Sequence, residues 1–233
     1  MSRFVVATIK PWNIAAFERR RSQYPGEWHL IERPDELNVG ALEQVDPRFV
    51  FFPHWSWVVP REILERWECV CFHMTDLPFG RGGSPLQNLI VRGHSETVLT
   101  ALRMTEELDA GPVYLKTRLN LDGSASEIYG RAADLVFDLI GKIVADQPTP
   151  KPQQGEVVSF ERRKPEDSRL PQRGSLEQLF DHIRMLDAET YPTAFIDSGD
   201  YRLEFENAKL DDGVLRAQVA VRIRTDESKT QKG

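Results

Sequence analysis

The chain has 233 residues, 40% of them hydrophobic, including 12 Phe and 5 Trp, enough apolar material for a core without metals or disulfides. Its net charge of -6 disfavours a general affinity for nucleic acid, which depends on a surplus of Lys and Arg on one surface. No apolar run approaches the roughly 20 residues that cross a bilayer, and the short run at 4–9 lacks the form of a secretory signal, so a cytoplasmic protein with no membrane partner is expected.

Apolar, β-branched runs alternate with helical patterns from the N-terminus onward, the habit of an α/β fold with a mostly parallel sheet. In chain order the patterns predict a strand at 3–9, a helix at 14–22, a strand at 28–32, a helix at 36–45 and a strand at 48–52. A helix at 61–67, a strand at 68–73 and a helix at 85–92 follow, then strands at 98–104 and 113–119. Ser124 and Glu127 form a capping-box candidate ahead of the periodic apolar positions Ile128, Ala132, Leu135, Val136, Leu139, Ile140 and Ile143, so a long helix should close the first domain. The proline-rich segment 147–152 cannot continue that helix and marks a boundary.

These boundaries predict a domain at 1–150, a linker with a short strand (157–160) at 151–174, and a small subdomain at 175–225. The last holds a helix at 176–186 and two alternating strands at 201–208 and 214–221, joined at Asp211-Asp212-Gly213, a strong hairpin signal. The polar tail 226–233 is expected to be disordered. Cys69 and Cys71, two apart in a strand, point to one face and are expected to be buried free thiols. Arg19, Arg20 and Arg21 fall in a predicted helix and are expected to form a solvated face.

Chemistry concentrates at 72–85, where a strand ends in His73 and enters a loop dense in Gly and Pro. In open parallel sheets ligands bind beyond the carboxyl ends of the strands, so His73 should reach a crevice. Asp109 sits in a tight Asp-Ala-Gly turn between two predicted strands and can be brought next to it. A second aromatic stretch at 51–60 ends a strand with His54, Trp55 and Trp57, a density that suits a flat ligand or a packed turn. No zinc-like spacing of His, Cys, Asp or Glu occurs, and no Gly-Lys-Ser/Thr follows Gly80, Gly82 and Gly83, so neither a metal site nor a phosphate loop is expected.

The run His73, Thr75, Leu77, Pro78, Arg81, Gly82, Pro85, with Leu108-Asp109-Ala110-Gly111 later, resembles the folate-dependent formyltransferase superfamily, whose pattern is Asn-x-His-x-Ser-Leu-Leu-Pro, Arg-Gly and then Leu-Asp-x-Gly. The resemblance runs in outline from residue 1 to about 222. It implies a mostly parallel, Rossmann-like sheet with helices on both faces and a small C-terminal α+β subdomain. It also implies an N-formyltransferase that uses 10-formyltetrahydrofolate and no metal.

On that resemblance His73 and Asp109 are the catalytic pair; Pro78, Met104, Leu108 and Gly111 border the cofactor; Arg81, Gly82, Trp12, Trp55 and Trp57 border the acceptor. One departure is clear: the family's Asn falls at Cys71, and a thiol is a weak donor where a carboxamide would hydrogen-bond a developing oxyanion. His54 or Asn88 filling that place in space, a shifted register, and greater reliance on His73 are the readings left open.

The short, mixed-charge C-terminal region, with Arg162-Arg163-Lys164 before it, resembles that of sugar N-formyltransferases, so the expected acceptor is a nucleotide-linked amino sugar, such as a UDP-linked 4-amino-4,6-dideoxy sugar for surface glycans, and nucleic acid is not an expected partner. Other small amines and methionyl-tRNA are the alternatives within the class; an inactive folate- or sugar-nucleotide-binding protein is the alternative outside it. A homodimer is one of the assembly states considered.

Overall fold

The computed structural model describes residues 1–224, and the predicted disorder at 226–233 lies outside the described residues. The chain divides into two compact units. The first consists of Met1–Pro85, Ser95–Leu121 and Ile128–Arg162; the second consists of Leu86–His94, Asp122–Glu127 and the chain from Arg163 onward. Residues 151–162, read from sequence as linker, pair within the first unit: Lys151 exchanges backbone hydrogen bonds with Val113 at 2.7 and 2.8 Å, and Gly83 N–H donates to Phe160 at 3.1 Å.

The elements run β1 (Arg3–Ala7), α1 (Pro11–Arg20), β2 (Glu27–Ile31), α2 (Val39–Val45), β3 (Phe49–Phe52), α3 (Arg61–Arg66), β4 (Cys69–His73), β5 (Phe79–Gly82) and α4 (Pro85–Val91). Then come β6 (Glu96–Arg103), β7 (Val113–Asn120), α5 (Ala125–Asp146), β8 (Val158–Phe160), α6 (Leu176–Arg184), β9 (Ala194–Ser198), β10 (Tyr201–Asp211) and β11 (Val214–Ile223). Six strands form the main sheet in the order β2-β1-β3-β4-β6-β7. The pairs β1/β2, β1/β3 and β3/β4 are parallel, whereas β4/β6 and β6/β7 are antiparallel. The sheet is therefore mostly parallel with an antiparallel flank.

Alternation along β1 and β3 assigns the two faces. Phe4, Phe49 and Phe51 lie on one face with Trp28, where Phe17 of α1 meets Trp28 and Phe137 of α5. Val5, Ala7, Val50 and Phe52 lie on the other, in one cluster with Ile31, Leu42 of α2, Ile63 of α3 and Cys69. Helices thus cover both faces, and near-continuous apolar strands follow from burial on both sides. Fully burying one such side chain contributes about 1.5–3 kcal/mol.

Local chemistry sets the helix ends. Pro11 opens α1 with a φ already suited to a helix, and Arg19 and Arg20 close it where the dipole favours cations. These arginines are not merely a solvated face: Arg19 pairs with Asp134 at 3.0 Å and Arg20 with Asp138, both on α5. The capping box at the start of α5 is present, with Ser124 N–H donating to Glu127 at 2.7 Å and Glu127 N–H to Ser124 Oγ at 3.3 Å.

In the second unit α6 has its own box, Ser175 with Gln178, and packs on the sheet β11-β10-β9. The hairpin between β10 and β11 turns at Asp212 and Gly213, both at positive φ (49° and 70°), as a two-residue Asp-Gly turn requires.

Candidate active site

β1 lies between β2 and β3, so the connections on either side of it leave in opposite directions and a crevice opens beyond the carboxyl ends of β1 and β3. Its walls are tied together by buried polar groups. Thr8 Oγ1 donates to the Pro53 carbonyl at 2.7 Å, and Asn13 Nδ2 donates to the same oxygen at 3.2 Å. These bonds fix the loop after β3, in which His54 adopts a left-handed φ of 56°. The His54 ring lies 5.6 Å from that of Trp12 and 5.1 Å from that of Tyr129, and Trp12 stacks on Tyr129 at 4.9 Å, nearly parallel. Burial, and secondarily the Lys10 cation, push the His54 pKa down to about 3. Burial and the charge of Arg162 lower Lys10, whose ammonium sits 5.5 Å over the Trp12 ring.

His73 ends β4 and is buried, with 7% of its surface exposed. Nε2 lies 2.7 Å from the Gly80 carbonyl, and Nδ1 lies 3.5 Å from Asp109 Oδ2. A carbonyl can only accept, so this geometry places a proton on Nε2 and leaves Nδ1 toward the carboxylate. Asp109 itself is held at a left-handed φ of 53°, and the Gly82 N–H donates to its Oδ2 at 2.9 Å. The two residues inferred from sequence are therefore brought together, with β5 closing over them.

Thr75, in the Ser place of the motif, is buried; its hydroxyl donates to the Gly80 carbonyl at 3.3 Å, and its own carbonyl accepts from Thr100 Oγ1 at 2.7 Å. Gly80 cannot be larger: with φ of 76°, a Cβ would fall 2.7 Å from the Thr75 methyl and 2.8 Å from Phe160. The turn carrying Asp109 is equally tight, since a Cβ on Gly111 would meet the Arg103 carbonyl at 1.8 Å.

Cys71 shares the β4 face of His73, two residues away, and pairs across the sheet with Phe52 and Leu102. Its thiol is pushed up by burial first and then by the Asp109 charge, so it lies within the field of that carboxylate. Both cysteines are free thiols; Cys69 is buried and Cys71 half-buried.

The remaining sequence-predicted residues separate. Arg81 Nη2 donates to Gln153 Oε1 at 2.9 Å and Nη1 pairs with Glu107 at 3.1 Å. Pro78 is buried and its carbonyl accepts from Val158. Leu108 is 70% exposed beside Asp109. Met104 lines a cleft of about 330 Å³ with Arg61, Leu64, Arg103 and Pro112. Trp55, partly buried, packs edge-on against Phe52 and Trp57 and against the core cluster, whereas Trp57 is 45% exposed. Asn88 belongs to the second unit, where its side-chain oxygen accepts from Arg92 at 2.8 Å.

Sequence reading missed Tyr129, whose apolar helical position hid its stacking on Trp12, and Lys10, which stood in no pattern. Among the described residues no group of three metal-ligating side chains occurs, and no helix is long and apolar enough to cross a membrane.

Fold and site together define an α/β protein whose paired imidazole and carboxylate lie at the carboxyl edge of an open sheet. A formyl transferase family model matches residues 14–136, and a model of the methionyl-tRNA formyltransferase C-terminal domain matches residues 165–222. The chain belongs to the formyl transferase family.

A solved structure named methionyl-tRNA formyltransferase from Clostridium thermocellum is similar over 96% of this chain and 100% of its own, at 42% identity and a TM-score of 0.93. The methionyl-tRNA formyltransferase of Thermodesulfovibrio yellowstonii is 27% identical over 166 residues, 68% of this chain and 53% of its own length. The chain spans about half the length of the curated relatives it matches. A likely sugar N-formyltransferase from Mycobacterium tuberculosis shares the fold at a TM-score of 0.70 and 18% identity, covering 89% of this chain and 97% of its own.

Proposed function

We propose that this protein transfers the formyl group of 10-formyltetrahydrofolate to the primary amine of a nucleotide-linked amino sugar. The observation that carries the transfer is the enclosed pair His73–Asp109, 3.5 Å apart, in a chain of the formyl transferase family. The donor supplies a formyl carbon activated as an N-acyl group and leaves as tetrahydrofolate, so a new amide bond replaces the old one without redox change. The cleft beside Met104 offers its flat, partly apolar body the apolar surface of Leu64, Met104 and Pro112; Arg61 at its edge is paired with Glu65 and Glu106, and Arg103 with Glu68. In the same apolar cluster as Leu64 and Met104, the buried Trp55 Nε1 has no hydrogen-bond partner among the described residues.

The protein's part is proton handling and charge stabilisation. With Nε2–H on the Gly80 carbonyl, His73 can take the amine proton at Nδ1, where Asp109 offsets the imidazolium charge, and pass it to the folate nitrogen released as the donor's N–formyl bond breaks. The Gly82 N–H keeps that carboxylate oriented. Cys71 offers only a weak donor, so stabilisation of the oxyanion falls mainly on the protonated ring.

Charge and shape support a small acceptor. Over residues 163–224 twelve acidic side chains face ten basic ones, a balance unsuited to a polyanion. The partly exposed Trp12, backed by the buried Tyr129, and the exposed Trp57 provide aromatic surface for a base or sugar. Methionyl-tRNA is the second reading, favoured by the name of the Clostridium thermocellum relative at 42% identity.

Incubation with 10-formyltetrahydrofolate and a panel of nucleotide-linked amino sugars, with methionyl-tRNA in parallel, tests both by tetrahydrofolate release and product mass. Formylation of a sugar nucleotide but not of tRNA is expected. Formylation of methionyl-tRNA alone would overturn the sugar reading.

A further inference from the structure

Gln153 directly follows the proline-rich segment 147–152, in the stretch that from sequence reads only as linker. The backbone bridge between Lys151 and Val113 delivers it to the turn that carries Asp109. There its side chain uses both ends. Nε2 donates to the Asp109 carbonyl at 2.7 Å and to the Gly111 carbonyl at 2.9 Å. Oε1 accepts from Arg81 Nε at 3.2 Å and Nη2 at 2.9 Å. Arg81 precedes Gly82, whose N–H grips the Asp109 carboxylate. One amide thus links the strand above the catalytic pair to the turn below it.

We infer that Gln153 is a positioning residue that sets the placement of Asp109 against His73, acting through the turn carbonyls and not merely as an anchor for Arg81. Asp109 stands at a φ of 53°, a conformation few non-glycine residues adopt unless their surroundings impose it, and the Gln153 amide supplies two of the bonds that impose it here. A carboxamide is the side chain that can meet two carbonyls with its donors and a guanidinium with its acceptor. A displacement of the carboxylate by about 1 Å costs up to about 100-fold in rate even when every reacting group is present.

The kinetic arm of the test rests on the proposed formyl transfer, while the spectroscopic arm does not, so the two readings fail separately. In ¹H–¹⁵N spectra of the whole chain, Gln153→Met should move the Gly82 amide toward its position in Asp109→Asn, while peaks of the second unit stay in place. The same variant should lower kcat by about 10- to 100-fold with less than about threefold change in KM for either substrate. Gln153→Glu keeps an acceptor for Arg81 but turns an oxygen toward the two carbonyls, and should be at least as damaging. An unmoved Gly82 amide in folded Gln153→Met would overturn the inference. So would wild-type kcat in Gln153→Glu, which would show that only the Arg81 contact matters.

Discussion

His54 is held by the Trp12 and Tyr129 rings in a site that favours its neutral form, with a pKa near 3 against an unfolded value near 6.5. Between those two values the unfolded chain binds a proton there that the folded chain refuses, so stability falls as the pH drops through that window. At pH 5 the difference is 1.5 units below the unfolded pKa, which corresponds to a loss of about 2 kcal/mol relative to pH 8, and residual access of water to this half-buried ring reduces it to about 1–2 kcal/mol. His54→Asn removes the titration and suits the left-handed backbone, which Asn tolerates. Urea unfolding of both proteins at pH 8 and pH 5 isolates the effect, because every other group cancels in the double difference. The wild type should lose about 1–2 kcal/mol more than His54→Asn on acidification. Equal losses would refute the placement of His54 in a desolvated site beside Lys10.

Trp57, exposed at the end of the aromatic stretch, should contribute to acceptor binding: Trp57→Ala is expected to raise KM for the amine at least about fivefold while leaving KM for folate and the thermal midpoint near wild type, as read by steady-state kinetics and calorimetry. In the second unit, Asp197 is ringed by Arg202, Arg169 and Arg224, with the Arg202 hydrogen bond the largest influence holding its pKa down to about 2. Its stabilising contribution is complete above about pH 4 and is lost as pH falls through about 2, so acid unfolding followed by circular dichroism should begin at higher pH in Asp197→Asn than in the wild type.

Much of the first unit was legible because its signals are local. Strands β1, β3 and β4 are apolar runs bounded by turns, and α5 announces itself through Ser124, Glu127 and a long 3.6-residue period. Two strands escaped. β5 is Phe79-Gly-Arg-Gly82, which has no alternation to read and becomes a strand only by pairing with β8, and β9 follows Pro192 as a short run without clear bounds. The pairing of His73 with Asp109 was legible from the motif, but the closure of Gly80 and Gly82 over the pair was not, since it depends on β5.

Met104 and Trp57 are partly or well exposed, whereas Trp55 is partly buried, edge-on against Phe52 and packed against the core cluster. Tyr129, Lys10 and Gln153 carry no sequence signal of their own: each matters through a group far along the chain, Trp12 for Tyr129, the charge of Arg162 for Lys10 and Asp109 for Gln153.

The central claim is that His73 and Asp109 act as one unit in formyl transfer. Its most direct test is single-turnover release of tetrahydrofolate by the wild type, His73→Asn, Asp109→Asn and the double variant, each verified as folded by circular dichroism. Loss of a general base is worth about 100- to 10,000-fold, so each single variant should fall at least about 100-fold, with the double variant scarcely worse than the more damaged single one. Near-normal release by folded His73→Asn, or losses in the two single variants that multiply in the double, would contradict the account.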